Sequence, residues 1–223
     1  MIIDARDLNA PSAYRLLTGI VVPRPIAWVT TLSTAGVVNL APFSAFTLVS
    51  NRPPMIGINI GLRAGKRKDT SSNIHATGEF VVNIPTWNMR SSVHQSSEDY
   101  APDVSEANEL GLRLSASEMV KPPRLSDSPI SMECAFDQVV KYGDAGSEFT
   151  TGKILRFHIR NDLYVNGKID TRRLDPVARV AGPSYSRVNT VETLKPIPIP
   201  QASGANSVSG LTSILANLDG STS

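Results

Sequence analysis

The sequence predicts a mainly β protein with some α-helix, an antiparallel barrel rather than a doubly wound sheet. Short runs rich in Val, Ile, Thr and aromatic residues recur along the chain, and turn residues separate them. The regular alternation of strand and helix that builds a parallel sheet is missing, and no G-x-G-x-x-G sequence follows a predicted strand. Of the 223 residues, 41% are hydrophobic, which is enough to bury the core of one large domain.

The first predicted element is a short helix near the amino terminus. Asn9 or Ser12 can cap it, Pro11 suits its first turn, and Gly19 can end it. Predicted strands follow, and in chain order they cover 25–32, a return strand from Val37, 45–49, 55–60, 79–84, 131–140, 152–159 and 162–165.

Three connecting segments interrupt these strands. Residues 86–100 are predicted to be helical, and 101–125, which contains several prolines, is predicted to be an excursion outside the core. Asn166-Gly167 predicts a tight hairpin after the last strand. We predict one domain over residues 1–200 and a Ser/Gly-rich tail over 201–223, in which 211–218 can form one short helix.

Composition narrows the function classes. Lys and Arg total 22 against 20 Asp and Glu, so a net charge of +2 gives no reason to expect nucleic-acid binding. The single cysteine, Cys134, excludes an internal disulfide and is expected to be a buried hydrophobic residue. The three histidines have no ligand spacing, so no metal site is expected. Arg24 interrupts the most apolar stretch, and we predict a cytoplasmic protein with no membrane segment.

The segment 61–78 carries the clearest local signal of a ligand site. Four cations, at 63 and 66–68, directly precede a short helix that Asp69 or Thr70 can cap and Gly78 can end. A helix N-terminus surrounded by cations is a natural phosphate site. A solvated basic loop before a surface helix explains the same pattern and stays open. A P-loop is excluded, because the spacing is one residue short and Arg67 replaces the required hydroxyl.

Polar side chains also gather at the ends of the first two strands. Thr30, Thr31, Asn39 and Ser44 can hydrogen-bond a planar heterocycle or a phosphate. The alternative is that they are ordinary strand and turn residues. Both interpretations remain open at this point.

Two further candidates lie near the carboxyl terminus. Tyr185 and Arg187 follow the Gly182-Pro183 turn on one side of an extended segment and can cover a flat ligand, although an edge-strand surface pair is equally consistent. In the strand 152–159, alternation places Leu155, Phe157 and Ile159 on the core face. Arg156, His158 and Arg160 share the other face, as a cationic wall beside an anionic ligand or as a solvated surface.

Taken together and in this order, four segments resemble the flavin reductase-like FMN-binding family. They read RPIAWVTTLSTAGVVNLAPFSAF, KDTSSNIHATGEFVVNI, GKILRFHI and DPVARVAGPSYSRV, and the likeness covers about residues 15–190. The resemblance implies a split β-barrel with Greek-key strands, a homodimer, and FMN bound near the subunit interface. By matched position it implies cofactor contacts from Thr30, Thr31, Asn39, Ala41, Ser44, Lys68, Asp69, Thr70, Tyr185 and Arg187, with His158 on the nicotinamide side.

The function that this resemblance implies is an FMN-binding oxidoreductase. We expect an NAD(P)H-dependent flavin reductase, in which hydride passes from the nicotinamide to the flavin and the chemistry belongs to the cofactor. Some members of the family supply reduced flavin to a partner oxygenase. Two alternatives stay open: a flavin-dependent oxygenase acting on a small organic substrate, and a non-catalytic FMN-binding electron carrier.

Overall fold

A computed structural model of the chain describes residues 1–188 and 190–195. Residues Met1–Thr190 form one compact unit. The predicted tail 201–223 and its helix at 211–218 lie outside the described residues.

Short helices connect the strands of this unit. The α-helices are α1 (Ala10–Ile20), α2 (Asp69–Thr77), α3 (Arg90–Gln95), α4 (Glu106–Glu109) and α5 (Thr171–Leu174). Single 3-10 turns occur at Ala5–Asp7, Trp87–Met89 and Asn161–Leu163. Among the described residues, no helix is long and apolar enough to cross a membrane.

The β structure consists of fourteen strands in the described part of the chain. They are β1 (Arg24–Pro25), β2 (Ala27–Leu32), β3 (Val38–Phe43), β4 (Phe46–Asn51), β5 (Pro54–Ile60), β6 (Glu79–Ile84), β7 (Leu114–Ser115), β8 (Arg124–Leu125), β9 (Ile130–Tyr142), β10 (Ser147–Ile159), β11 (Tyr164–Val165), β12 (Lys168–Ile169), β13 (Val177–Arg179) and β14 (Tyr185–Arg187). The predicted mainly β, antiparallel fold is confirmed.

Seven of these strands form the main sheet, in the order β3-β2-β6-β9-β10-β5-β4, and every pairing in it is antiparallel. The chain leaves β5 through α2 and returns as β6 beside β2, which is the long connection of a Greek-key arrangement. The two end strands, β3 and β4, follow each other in sequence, and Ala45 between them accepts a hydrogen bond from the backbone N–H of Asn59. A smaller sheet, β1-β13-β14, lies beside the first strand of the barrel.

Helix α1 begins as the sequence predicts. Asn9 is the N-cap, and its side chain accepts a 2.9 Å hydrogen bond from the backbone N–H of Ser12. The helix continues one residue past Gly19, because a glycine in helical conformation does not by itself end a helix. The predicted end of α2 at Gly78 is confirmed by its left-handed conformation, with φ of 73°.

Strand β2 is buried on both faces. Ala27 and Val29 pack in the central core with residues of β5, β6 and β9. Ile26 and Trp28 point the other way, into a second core. A strand covered on both sides reads as a continuous apolar run rather than as an alternation, which is how this segment appears in the sequence.

The second core depends on the segment that the sequence analysis placed outside the fold. Ala107 and Leu125 are buried there, together with Val93 of α3. The prediction that 101–125 is an excursion outside the core is therefore wrong. The predicted helix 86–100 is shortened to a 3-10 turn followed by α3.

The alternation predicted for β10 also fails at its carboxyl-terminal end. The register shifts between Ile154 and Arg156, which leaves Leu155 as the extra residue of a β-bulge. Leu155 is 44% exposed and Phe157 49% exposed, so neither faces the core. The predicted hairpin is confirmed, because Asn166 and Gly167 take positive φ between the paired strands β11 and β12.

Candidate functional site

The start of α2 and strand β3 border a cavity of about 420 Å³, which we call the α2 groove. Helix α2 packs against β2 and β3, so it brings a distant segment of the chain next to the strand ends. Five of the sequence-predicted site residues line the groove: Asn39, Ala41, Lys68, Asp69 and Thr70.

Helix α2 begins with backbone N–H groups that no side chain caps. Lys68 occupies the N-cap position and makes no side-chain capping hydrogen bond, so the prediction that Asp69 or Thr70 caps the helix is wrong. The Thr70 hydroxyl lies instead 2.9 Å from the side-chain amide of Asn39. The first turn of an α-helix carries unpaired N–H groups and a partial positive charge. This end of the groove can therefore accept a phosphate.

The charge of Lys68 has little compensation in the groove. Burial lowers the pKa of its ammonium group and repulsion from Arg63 lowers it further, while Asp99 acts in the opposite direction. Arg63 pairs with Asp99, and Arg67 pairs with Glu148 at 3.0 Å. Within residues 1–188 and 190–195, no carboxylate lies within salt-bridge distance of Lys68. A bound anion would favour the charged ammonium group, which makes Lys68 a natural phosphate contact.

Glu106 brings a carboxylate into the same groove from α4. Its Oε2 accepts a 2.7 Å hydrogen bond from the backbone N–H of Leu40. With the Asn39 amide oriented to satisfy its neighbours, the amide nitrogen donates to Glu106 Oε1 at 3.3 Å. Burial raises the pKa of Glu106; the Leu40 hydrogen bond opposes the rise, and the charge of Asp69 adds to it. The groove thus contains a carboxyl group whose charged form is disfavoured by burial.

Thr30 and Thr31 are buried, and the fold itself uses their hydroxyls. Thr30 Oγ1 donates to the Pro123 carbonyl at 2.6 Å. Thr31 Oγ1 accepts from Asn73 Nδ2 at 3.1 Å, which links β2 to α2. Thr31 therefore ties β2 to α2, whose start borders the groove, and Thr30 ties β2 to the 101–125 segment.

A second cavity, of about 490 Å³, adjoins the α2 groove, and we call it the arginine pocket. Pro42 and Ser97 line both cavities, so the two lie side by side. Two sequence-predicted residues, Ser44 and Tyr185, line the arginine pocket. Three arginines from separate parts of the chain line it too, namely Arg15, Arg24 and Arg179.

Tyr185 is held in this pocket by two neighbours. Its phenol oxygen accepts a 2.6 Å hydrogen bond from Arg179 Nη1 and lies 3.2 Å from His94 Nδ1. The Arg179 guanidinium lies over the tyrosine ring, 4.7 Å from its centroid. Burial raises the pKa of the Tyr185 phenol, although Arg179 opposes the shift. The phenol therefore stays protonated at neutral pH.

Besides Thr30 and Thr31, two predicted site residues do not line the described walls of either cavity. Arg187 pairs with Asp175, with Nε and Oδ1 2.6 Å apart. His158 Nε2 lies 2.5 Å from Glu133 Oε1, on the sheet. The structure thus gives each of them a carboxylate partner from this chain.

The predicted cationic face of β10 carries paired charges. Arg156 pairs with Glu118, and Arg160 pairs with Asp162 at 2.6 Å. Together with the carboxylate beside His158, these partners neutralise the face. These ion pairs favour the other interpretation of this strand, a solvated surface with paired charges.

Several residues of the two cavities were missed by the sequence analysis. Glu106 lies in the segment interpreted as an excursion, and Arg15 and Ser97 belong to no motif. A signal did exist for Arg179, because it lies within the DPVARVAGPSYSRV segment. No set of three or more His, Cys, Asp or Glu side chains suited to a metal ion occurs in the described part of the chain.

Comparison with protein-family models identifies the class to which this fold and site belong. The model of the flavin reductase like domain matches residues 19–173. The chain therefore belongs to the flavin reductase-like family, as the sequence segments indicate, and its class is that of flavin-binding oxidoreductases.

Individual relatives and solved structures are similar to this chain over most of its length. An uncharacterized protein of Halalkalibacterium halodurans is 41% identical over 84% of this chain and 92% of its own length. Component B of nitrilotriacetate monooxygenase from Bacillus cereus is 33% identical over 87% of this chain and 98% of its own, with a TM-score of 0.84. A split barrel domain protein from Shewanella frigidimarina, 20% identical, covers 88% of this chain and 100% of its own with a TM-score of 0.77. The predicted split β-barrel is confirmed.

Proposed function

We propose that the chain is an FMN-dependent flavin reductase that takes hydride from NADH or NADPH. The observation that carries the proposal is the uncapped start of α2 beside Lys68, in a groove lined by the family-matched residues. A terminal phosphate monoester suits this site, because it can accept both backbone N–H groups and a charge-assisted hydrogen bond. FMN carries such a phosphate, and FAD does not.

The residues of the α2 groove position the cofactor in this proposal. Lys68, Thr70 and the first turn of α2 hold the phosphate, and Asn39 and Ala41 contact the part of the flavin that follows along β3. The bound flavin supplies the hydride chemistry. The chain itself contributes binding and orientation, and no side chain is required as an acid or base in hydride transfer between nicotinamide and flavin.

We also propose a homodimer, because an exposed apolar surface remains beside the main sheet. Leu155 and Phe157 lie on β10, and Leu48 and Val49 lie on the edge strand β4, at the same end of two strands that β5 separates. Leu48 is 82% exposed. Apolar side chains grouped on an open edge strand are typical of an interface. A second copy of the chain would cover them.

The electron acceptor follows from the same proposal. The likeness to component B of a monooxygenase supports the supply of reduced flavin to a partner oxygenase. The cytoplasm is the proposed location, because the single cysteine of the sequence, Cys134, is a free thiol and forms no internal disulfide.

Two measurements on the purified protein test the proposal. Fluorescence titration is expected to show tighter binding of FMN than of FAD, and clearly tighter FAD binding would overturn the cofactor assignment. Steady-state oxidation of NADH and NADPH with added FMN then separates the classes. A reductase turns over, whereas an electron carrier binds flavin and consumes almost no nicotinamide.

A further inference from the structure

The two adjoining cavities differ in their charge. The α2 groove is lined by four cationic residues and by four carboxylates, those of Asp69, Glu98, Asp99 and Glu106. The described lining of the arginine pocket includes three guanidinium groups and no carboxylate. Within residues 1–188 and 190–195, none of these three arginines has a salt-bridge partner, although eight other arginines do. The arginine pocket therefore carries uncompensated positive charge.

Neutral acceptors hold these arginines in place without cancelling that charge. Arg24 donates to the carbonyls of Thr18 at 2.7 Å, Val21 at 2.6 Å and Val180 at 3.1 Å, so it also ties α1 to the small sheet. Arg179 Nε donates to the Gly182 carbonyl at 2.7 Å.

Arg179 and Arg15 keep donors for a ligand. A guanidinium has five N–H groups. Arg179 uses Nε for Gly182 and one Nη1 donor for Tyr185. Arg15 uses one Nη2 donor, to the Ser12 hydroxyl at 3.0 Å. Two guanidiniums with open N–H groups on one cavity can bind a carboxylate through paired, charge-assisted hydrogen bonds.

The rest of the pocket suits a flat, apolar body. Ile26 and Val93 are buried side chains of the second core that form part of the wall. Tyr185 adds an aromatic ring and a protonated phenol beside Arg179. A ligand that joins a planar ring to a carboxylate matches both the apolar wall and the cationic side.

We propose that the arginine pocket binds a small planar organic carboxylate beside the flavin groove. The role of this ligand as a second substrate rests on the proposed flavin function, but its binding does not. Because Pro42 and Ser97 border both cavities, a ligand in the pocket lies next to the groove without needing the phosphate site.

Calorimetric titration of the wild-type protein with benzoate, with and without saturating FMN, tests the proposal. We expect benzoate to bind with Kd of about 1 mM or tighter in both states, and neutral benzamide at least about tenfold more weakly. Equal affinity for benzamide would overturn the anion site. Loss of benzoate binding on addition of FMN would make the pocket part of the flavin site. Displacement of benzoate by micromolar ADP-ribose would make it a nucleotide phosphate site.

Variants of the pocket arginines test whether benzoate binds in the arginine pocket. Arg179→Gln is expected to weaken benzoate about tenfold or more, Arg179→Lys less, and the exposed Arg15→Gln about threefold. Arg52→Gln, on the turn between β4 and β5, is the matched control and should bind as the wild type does. If Arg179→Gln does not fold, Arg15→Gln and Arg179→Lys still decide the matter, because unchanged affinity in both overturns the proposal.

The same samples separate this proposal from the flavin function. Protein that binds FMN but not benzoate contradicts the carboxylate site alone. Protein that binds benzoate but no flavin contradicts the flavin function and keeps the site.

Discussion

His158 Nε2 lies 2.5 Å from Glu133 Oε1, and the Glu133 carboxylate also accepts the backbone N–H groups of Glu118 and Met119. Glu133 is completely buried. One carboxylate therefore joins β9 and β10 to the backbone at Glu118 and Met119, within the 101–125 segment.

Replacement of Glu133 by Ala is expected to lower the free energy of unfolding by about 3 kcal/mol or more, because it leaves buried donors unpaired. Burial alone would raise the pKa of Glu133, but three N–H donors outweigh it and hold the pKa below the ordinary 4.5. The stabilisation is thus complete above pH 4.5 and is lost as the pH falls through the folded-state pKa. Chemical denaturation from pH 3 to 8 measures it, with the exposed Glu109→Ala as control. The account would be contradicted if the difference in free energy of unfolding between the wild type and Glu133→Ala did not become smaller in acid.

His158→Ala is expected to lower the free energy of unfolding by about 1.5–3 kcal/mol, because His158 donates to a buried carboxylate. The role of His158 on the nicotinamide side stays a prediction from the family resemblance. It requires in addition a raised KM for NAD(P)H at unchanged FMN affinity. Steady-state kinetics and denaturation of the same variant separate the two effects. An unchanged KM assigns His158 to the fold, and an unchanged stability would contradict the contact with Glu133.

Glu106→Gln is expected to stabilise the protein at neutral pH relative to the wild type. Burial raises the pKa of Glu106 above 4.5, so the folded state disfavours the charged carboxylate. The advantage of the glutamine should be absent below pH 4.5 and should grow as the pH rises through the folded-state pKa. Denaturation at pH 4 and pH 8 measures it, and Glu98→Gln, an exposed residue of the same groove, is the control. An equal difference at both pH values would contradict the prediction.

Phe157→Asp is expected to convert a homodimer to a monomer, because a charge buried in an apolar interface costs about 3 kcal/mol, or roughly hundredfold in association. Phe157→Leu keeps the surface apolar and should remain a dimer. Light scattering at micromolar concentration decides between them. A wild-type monomer with flavin fully bound would contradict the proposed dimer, and an Asp variant that stays dimeric would place the interface elsewhere.

The sequence predicts most of the fold correctly where the local pattern is strong. Asn9 and Gly78 mark helix ends through their own conformational preferences, and Asn166-Gly167 sets a hairpin. Prediction from the local sequence pattern fails where tertiary contacts determine the structure. The bulge at Leu155 shifts the alternation of β10, and the burial of Ala107 depends on a second core that no local period reveals.

The candidate site likewise contains residues that a local sequence motif places correctly and residues that only the tertiary fold brings together. Lys68 and Thr70 stand in one short segment, so the sequence could place them at a helix start. Arg179 and Arg15 line one cavity only because Arg24 ties α1 to the chain beside the small sheet, and spacing along the sequence does not reveal this arrangement. The carboxylate partner of His158 was equally invisible, since Glu133 lies on a neighbouring strand.

Comparison of FMN with riboflavin in the Lys68→Ala and Thr70→Ala variants tests the central claim most directly, because the two flavins differ only in the phosphate. We predict that Lys68→Ala weakens FMN about tenfold or more and that Thr70→Ala weakens it by a smaller factor, while riboflavin affinity changes less than about twofold. Lys121→Ala, an exposed lysine away from the groove, is the control for general loss of charge. Equal losses for both flavins, or no loss for FMN, would contradict a phosphate site at the start of α2.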